Sequence, residues 1–181
     1  MSNKVAAALV AALLVGLAIW VNVRGEAPGS VVDPVSPWAL DVQGGAAATL
    51  EQLSNSETGD TMRVTISSLA DSTQTWHVKL VERPFVISAG VSYRVSFLAR
   101  AAEPRPIGCA IGNNHDPWES LGTYHQHSVT TEWSTFECPI TASADDSNAR
   151  LFFDLGLSDA WVELTQVVVT DVTNGQVLEP I

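Results

Sequence analysis

From residue 61 onward, apolar side chains recur at every second position in segments of seven to twelve residues separated by turn formers. No other feature restricts the fold as tightly. A period of two puts alternate side chains on opposite faces of a strand, whereas helix burial needs a period of 3.6. Thr61–Ser67 carries Met62, Val64 and Ile66 on one face, and Thr75–Val81 carries Trp76, Val78 and Leu80. Ser92–Ala101 carries Tyr93, Val95, Phe97 and Ala99, and Pro106–Gly112 carries Ile107, Cys109 and Ile111. Leu121–Val129 is mixed. Glu132–Ile140 carries Phe136, Cys138 and Ile140, Asn148–Gly156 carries Leu151, Phe153 and Leu155, and Trp161–Val172 is the last segment. Ala39–Val42 and Ala47–Leu53 read as weaker leading strands, although a faint helical period also runs from Ala46 to Leu53. Many short, half-buried strands joined by Gly and Pro turns predict an all-β sandwich or barrel.

Eight main strands predict a jelly roll of two four-stranded sheets. That wiring places the strands starting at Thr61, Trp161, Ser92 and Glu132 in one sheet. Those starting at Thr75, Asn148, Pro106 and Leu121 form the other.

The front of the chain is of another kind. Val5–Val23 is a run of 19 residues with no charge and only Asn22 polar. As a helix it would reach about 28 Å, close to the thickness of a bilayer's hydrocarbon core. Lys4 and Arg24 flank it, and Trp20 lies near its outer end as an interfacial anchor would. Residues 1–24 therefore read as a single N-terminal transmembrane anchor or, alternatively, a cleaved signal segment. The first leaves the domain membrane-anchored and extracytoplasmic; the second secretes it. Residues 25–37, with three Pro and two Gly, read as a linker, 38–173 as the β-sandwich, and 174–181 as a C-terminal tail.

Charge narrows the partners. Residues 25–181 hold seven basic and all twenty acidic side chains, a net of −13. Such a surface repels phosphate backbones, which excludes nucleic acid as a partner.

The jelly-roll assignment also defines an outward face. It presents Thr75, His77 and Lys79 on one strand, Gly108, Ala110 and Gly112 on the next, and Arg150, Phe152 and Asp154 on a third. Tyr124 and Gln126 join them, or His125 and His127, depending on the parity of the mixed segment. The Gly-Ala-Gly strand leaves a bare floor between polar and bulky walls. A groove of this kind suits an extended, hydroxyl-rich ligand.

The stretch from Trp76 to Thr173 resembles the carbohydrate-binding modules of families 4, 9 and 22, a cellulase-associated, galactose-binding-like β-jelly-roll type. The resemblance rests on ordered phrases: WHVKL at 76–80, ISAGVSYRVSFLARA at 87–101, RPIGCAIG at 105–112, HDPWESLG at 115–122, VTTEWSTFECPI at 129–140 and NARLFFDLG at 148–156. It implies a non-catalytic module that binds polysaccharide or glycan. It also implies a structural calcium held by an early Glu and a pair of Asp on the last strand. This chain departs there: no Asn-x-x-Phe-Glu phrase precedes Trp38, and Thr165 and Gln166 stand where the Asp pair would. Calcium wants several oxygen ligands with charge among them, so either the ion is lost, leaving no cofactor, or other groups replace the missing carboxylates.

Within this frame Trp118, in the Pro-containing NNHDPWES connection, is the main candidate for stacking on a sugar ring, with Trp76 and Tyr124 as further platforms. His77, Arg105, Asn113, Asn114, His115, Arg150 and Asp154 are candidates for hydroxyl contacts. Trp133 and Tyr93 are expected in the core. His125-x-His127, lacking a Cys or carboxylate at a fixed offset, falls short of a metal motif. Cys109 and Cys138 share inward parity and are candidates for a disulfide, which an exported domain permits. Glycoside hydrolysis needs two carboxylates across a cleft, and only Asp154 falls on the groove; no G-x-S-x-G, HExxH or P-loop pattern occurs. The sequence therefore points away from an enzyme. An envelope protein-interaction or scaffold domain on the same fold is the rival reading.

Overall fold

The computed structural model describes residues 37–55, 59–69 and 74–179. The apolar run at 5–23 lies outside them, as does residues 25–36 of the linker. Among the described residues there are eleven strands and one turn of 3-10 helix at Thr75–His77. The strands are β1 (Trp38–Val42), β2 (Ala47–Asn55), β3 (Gly59–Ser68), β4 (Val78–Ile87), β5 (Ser92–Ala101), β6 (Arg105–Asn113), β7 (His125–Val129), β8 (Ser134–Thr141), β9 (Asp146–Asp154), β10 (Val162–Asp171) and β11 (Val177–Leu178).

They form two sheets. One runs β1-β4-β9-β6-β7, and the other β2-β3-β10-β5-β8 with β11 added on β10. Without the leading strands β1 and β2, these orders are the two sheets expected of a jelly roll. The inward residues of both sheets meet in one core that includes Val64, Leu80, Val95, Phe97, Ile111, Leu151, Phe153 and Leu164. Each such fully buried side chain favours the fold by about 1.5–3 kcal/mol relative to exposure.

Several boundaries differ from expectation; Thr75–His77, expected to open a strand, is the 3-10 turn, and that strand begins at Val78. Strand β4 continues through Pro84, with its register to β9 slipping between Glu82 and Phe85 and again before Ile87. Proline lacks a ladder donor and reads as a break, yet Phe85 and Ile87 beyond it are core residues. The mixed segment pairs only from His125, so Leu121–Tyr124 form a connection instead of a strand. Val177–Leu178, read as tail, add a short edge strand against Val169 and Thr170.

Tyr93 is buried and its hydroxyl accepts from the Ser88 N–H at 2.9 Å. Trp133, expected in the core, is instead half-buried with the Arg100 guanidinium 4.8 Å over its ring. Arg100 also belongs to a row crossing the six-stranded sheet, in which Glu163 stands directly opposite both Arg63 and Arg100. Glu163 is buried and accepts from Arg63 Nε at 2.8 Å and Arg100 Nε at 2.7 Å, while Arg63 lies over Trp161.

Cys109 and Cys138 are both buried and both free, so the candidate bridge is not formed in this structure. Burial and contact with Cys138 push the Cys109 thiol well above its ordinary value. His127 turns to the same place, its Nε2 lying 3.1 Å from Cys138 Sγ, and His125 bonds to the Pro139 carbonyl. The two imidazoles thus close the side of the sandwich against β8. Among the described residues no three His, Cys, Asp or Glu side chains converge as metal ligands.

Candidate functional site

The outward face of the five-stranded sheet is organised in transverse rows. Asp41 on β1 stands opposite Lys79 on β4, Lys79 opposite Asp154 on β9, Asp154 opposite Gly108 on β6, and Gly108 opposite Gln126 on β7. The adjacent row holds Val81, Phe152 and Ala110, which pack into a small buried cluster of their own. Arg150 and Gly112 form the next. Gly108, Ala110 and Gly112 therefore point outward, as the alternation requires.

The floor is not bare, however. A Cβ on Gly108 would lie 1.8 Å from the Tyr124 hydroxyl, and one on Gly112 would meet the Glu119 carbonyl oxygen at 2.5 Å and Phe152 at 3.0 Å. Gly108 makes room for the Tyr124 ring, and Gly112 for the Glu119 backbone of the β6–β7 connection with Phe152 alongside. The groove above them has a volume of about 930 Å³. Its wall and floor residues include Leu40, Asp41, Trp76, Lys79, Trp118, Tyr124, Arg150, Phe152 and Asp154.

Electrostatics in the groove are balanced. Arg150 Nη1 donates to Asp41 Oδ2 at 2.8 Å, and Lys79 Nζ lies 3.5 Å from Asp154 Oδ1. Two cations and two carboxylates leave it near neutral within an acidic domain. Burial lowers the Lys79 ammonium from its ordinary value against the pull of Asp154. Asp154 accepts at Oδ2 from the Tyr124 hydroxyl at 3.1 Å and from Thr75 Oγ1 at 3.3 Å. Burial and the Asp154 charge push the Tyr124 phenol up to about 12, so it stays a donor.

The aromatic walls stand on irregular backbone. Trp76 sits on the 3-10 turn before β4, its ring edge-on to His77 at 4.3 Å. Trp118 lies in the β6–β7 connection at φ +63°, in the left-handed region that disfavours a bulky side chain. Its N–H donates to the His115 carbonyl at 2.8 Å, and its ring covers the Arg150 guanidinium at 4.9 Å. A tryptophan held there, 53% exposed, is a backbone outlier of the kind that concentrates at binding sites.

Five of the ten residues nominated from the sequence thus meet in the groove: Trp76, Trp118, Tyr124, Arg150 and Asp154. The other five are held elsewhere. His77 wedges its ring against Gly44, where a Cβ would sit 2.2 Å away. Arg105 is buried, donating to the Ala160 and Leu155 carbonyls, and burial lowers its guanidinium to about 10. Asn113 donates to Asp146 at 2.7 Å, Asn114 to Asn148 at 3.1 Å, and His115 Nε2 lies 3.2 Å from Asp146. These last contacts tie the loop after β6 to the start of β9. Burial of Asp146 works against ionisation, but donors from Asn148, Asn113 and His115 outweigh it and lower its carboxyl.

Asp41 and Lys79 were not nominated. Lys79 carried the right parity, and Asp41 was hidden in a weak leading strand. Where the resemblance would place calcium, Thr165 is buried with its hydroxyl donating to the Asp60 carbonyl at 2.9 Å. Neither it nor Gln166 supplies a carboxylate there.

A sandwich with one sheet face open as a long, near-neutral, aromatic-walled groove has the form of a polysaccharide-binding module. Comparison with known proteins carries this further. Residues 33–170 match the model of the CBM_4_9 family, described as a carbohydrate binding domain, and the chain belongs to that family. A solved CBM4 structure is 27% identical with a TM-score of 0.60, the match covering 75% of this chain and 88% of that one. The two N-terminal cellulose-binding domains of Cellulomonas fimi β-1,4-glucanase C share the fold. The first is 23% identical with TM-score 0.53, over 74% of this chain and 88% of that one. The second is 21% identical with TM-score 0.55, over 77% and 88%. No curated protein matches the sequence. Family membership makes the chain a non-catalytic carbohydrate-binding domain.

Proposed function

We propose that the groove over β1, β4, β9, β6 and β7 binds an extended polysaccharide or glycan at the cell surface, on a domain exported and held there by residues 5–23. One observation carries the binding site. The three exposed aromatic side chains among the described residues, Trp76, Trp118 and Tyr124, all line this one groove. An indole or phenol face is apolar and electron-rich, matching the polarised C–H face of a pyranose, while the paired charges orient its hydroxyls. The 19-residue apolar run between Lys4 and Arg24 supports the tether.

Affinity electrophoresis of the full chain in mild detergent, through gels containing individual soluble polysaccharides, tests the binding. At least one polysaccharide should retard the protein, and migration unchanged in all of them at millimolar sugar sinks the reading. Membrane fractionation with external protease tests the tether: the protein should sediment with membranes and be digested from outside.

A further inference from the structure

His115 stands between two acceptors. Its Nδ1 lies 2.7 Å from the Asp116 carbonyl oxygen and its Nε2 lies 3.2 Å from Asp146 Oδ2. A carbonyl oxygen only accepts, and so does an ionised carboxylate, which the donors around Asp146 favour. A neutral imidazole carries a single N–H and satisfies one of the two, whereas the imidazolium satisfies both. The carboxylate end of this bridge is fixed. The Asp146 side chain is 5% exposed and also accepts from Asn113 Nδ2 at 2.7 Å and the Asn148 N–H at 2.8 Å. The other end carries a groove wall, because the His115 carbonyl accepts from the Trp118 N–H at 2.8 Å. The residue that grips the start of β9 thus also closes the turn that presents the indole. The charges acting on its ring are those of Asp146 and Asp116. Asp145 spends Oδ1 on the Ala89 N–H, and Arg150, beneath Trp118, is paired with Asp41.

Resting on the carbohydrate reading above, we infer that His115 is a titratable clasp. As an imidazolium it pins the Trp118 loop to β9, and its deprotonation loosens the indole platform and weakens ligand binding. The bond to the Asp116 carbonyl, then the bond to Asp146, raise its pKa from the ordinary 6.5. A raised value means that the clasped loop holds the proton more tightly than a free imidazole does. The clasp is therefore complete below 6.5 and is lost as pH rises through the raised value. The His115 side chain is 49% exposed, so water competes for both bonds. An ion pair at such a site supports a change in affinity of about two- to fivefold. Glu82, pushed up to about 7, and Lys79, lowered by burial, also respond to pH, so a variant at His115 is needed to separate its share.

The test has one readout without sugar and one with it, both on the full chain in mild detergent. Nuclear magnetic resonance of protein carrying labelled histidine and tryptophan should show the His115 ring titrating above pH 6.5, with the Trp118 indole N–H shifting at the same midpoint. Affinity gels containing hydroxyethylcellulose, laminarin or galactomannan, none of which titrates, are then run at pH 5.5 and 8.5. The polysaccharide that retards the native protein should hold it about two- to fivefold more weakly at pH 8.5. His115→Gln, which has no proton to lose in this range, should bind at pH 5.5 as weakly as the native protein does at pH 8.5. A His115 midpoint at or below 6.5, or a Trp118 resonance that does not follow it, overturns the clasp and leaves the carbohydrate reading standing. A native pH profile retained in His115→Gln does the same. No retardation by these or any other polysaccharide at either pH overturns the carbohydrate reading, and the two resonances then decide the clasp alone.

Discussion

Replacing Trp118 by glycine and by alanine separates its role in binding from its role in the fold. The ring is 53% exposed. A tryptophan offers about 150–250 Å² of surface, so roughly 100 Å² remains open for a sugar. Covering that area at about 25 cal/mol per Å² is worth about 2.5 kcal/mol as an upper figure. A loss of about 1.5–2.5 kcal/mol corresponds to a roughly tenfold to seventyfold weaker complex. Stability should respond differently. Both variants lose the contact with Arg150, a cation–π pair worth about 0.5–1 kcal/mol, and the half of the ring that is covered. Only glycine also relieves the left-handed backbone at φ +63°, which costs an L-residue about 1–2 kcal/mol. Trp118→Gly should therefore bind at least tenfold more weakly yet melt within about 6 °C of the native protein. Trp118→Ala should bind as weakly and melt several degrees lower than the glycine variant. The assays are affinity electrophoresis and thermal denaturation on the same preparations. Affinity within threefold of native refutes the platform, and an alanine variant as stable as the glycine one refutes the backbone argument.

Gly108→Ala should drive the Tyr124 ring off the floor, because the added methyl takes the place of its hydroxyl. The expected result is about tenfold weaker sugar binding with a melting temperature only a few degrees lower, since the displaced ring can swing into solvent and one hydrogen bond of about 1–1.5 kcal/mol is lost. Glu163→Gln removes the charge that Arg63 and Arg100 share on the opposite sheet. It should lower stability by about 1–3 kcal/mol in denaturant titration, less than a fully buried pair because both arginines are partly solvated, with glycan affinity unchanged. Burial, reinforced by Glu179, pushes the Glu82 carboxyl up from 4.5 to about 7. Between those values the unfolded chain has released a proton that the folded chain retains, so stability should fall as pH rises through that window. Glu82→Gln should flatten the decline, on the order of 2 kcal/mol, when melting is followed from pH 4 to 8.

The wiring of the sandwich was legible because its cause is local. Six of the eight main strands kept a clean period of two, and that parity alone turned Lys79, Gly108, Arg150 and Asp154 to the outer face. Legibility ended where partners lie far along the chain. Arg105 looks like a solvated residue at a strand start, and only the fold shows that its guanidinium reaches the carbonyls of Leu155 and Ala160, fifty or more residues on. Asn113, Asn114 and His115 share a loop with Trp118 and looked equally suited to a ligand, yet Asp146 and Asn148 claim them. Asp41 escaped notice because its strand has little alternation, although Arg150 depends on it.

The glycines of β6 connect these two levels. Small residues at Gly108 and Gly112 by themselves imply an empty trough, and a trough of bare backbone would offer a sugar only peptide edges already engaged in the sheet. Their neighbours make better use of the space. Because Gly108 has no Cβ, the Tyr124 hydroxyl reaches Asp154 Oδ2, which leaves Oδ1 to pair with Lys79. Because Gly112 has none, the Glu119 carbonyl of the β6–β7 connection comes in close, with Phe152 beside it beneath the Lys79 and Arg150 cations. The absence of a methyl group at Gly108 thus sets both the Tyr124 part of the floor and the orientation of the Asp154–Lys79 pair beside it. A side chain added at Gly108 changes both together, so the loss of stacking on Tyr124 and the loss of the Tyr124–Asp154 bond should appear in the same variant.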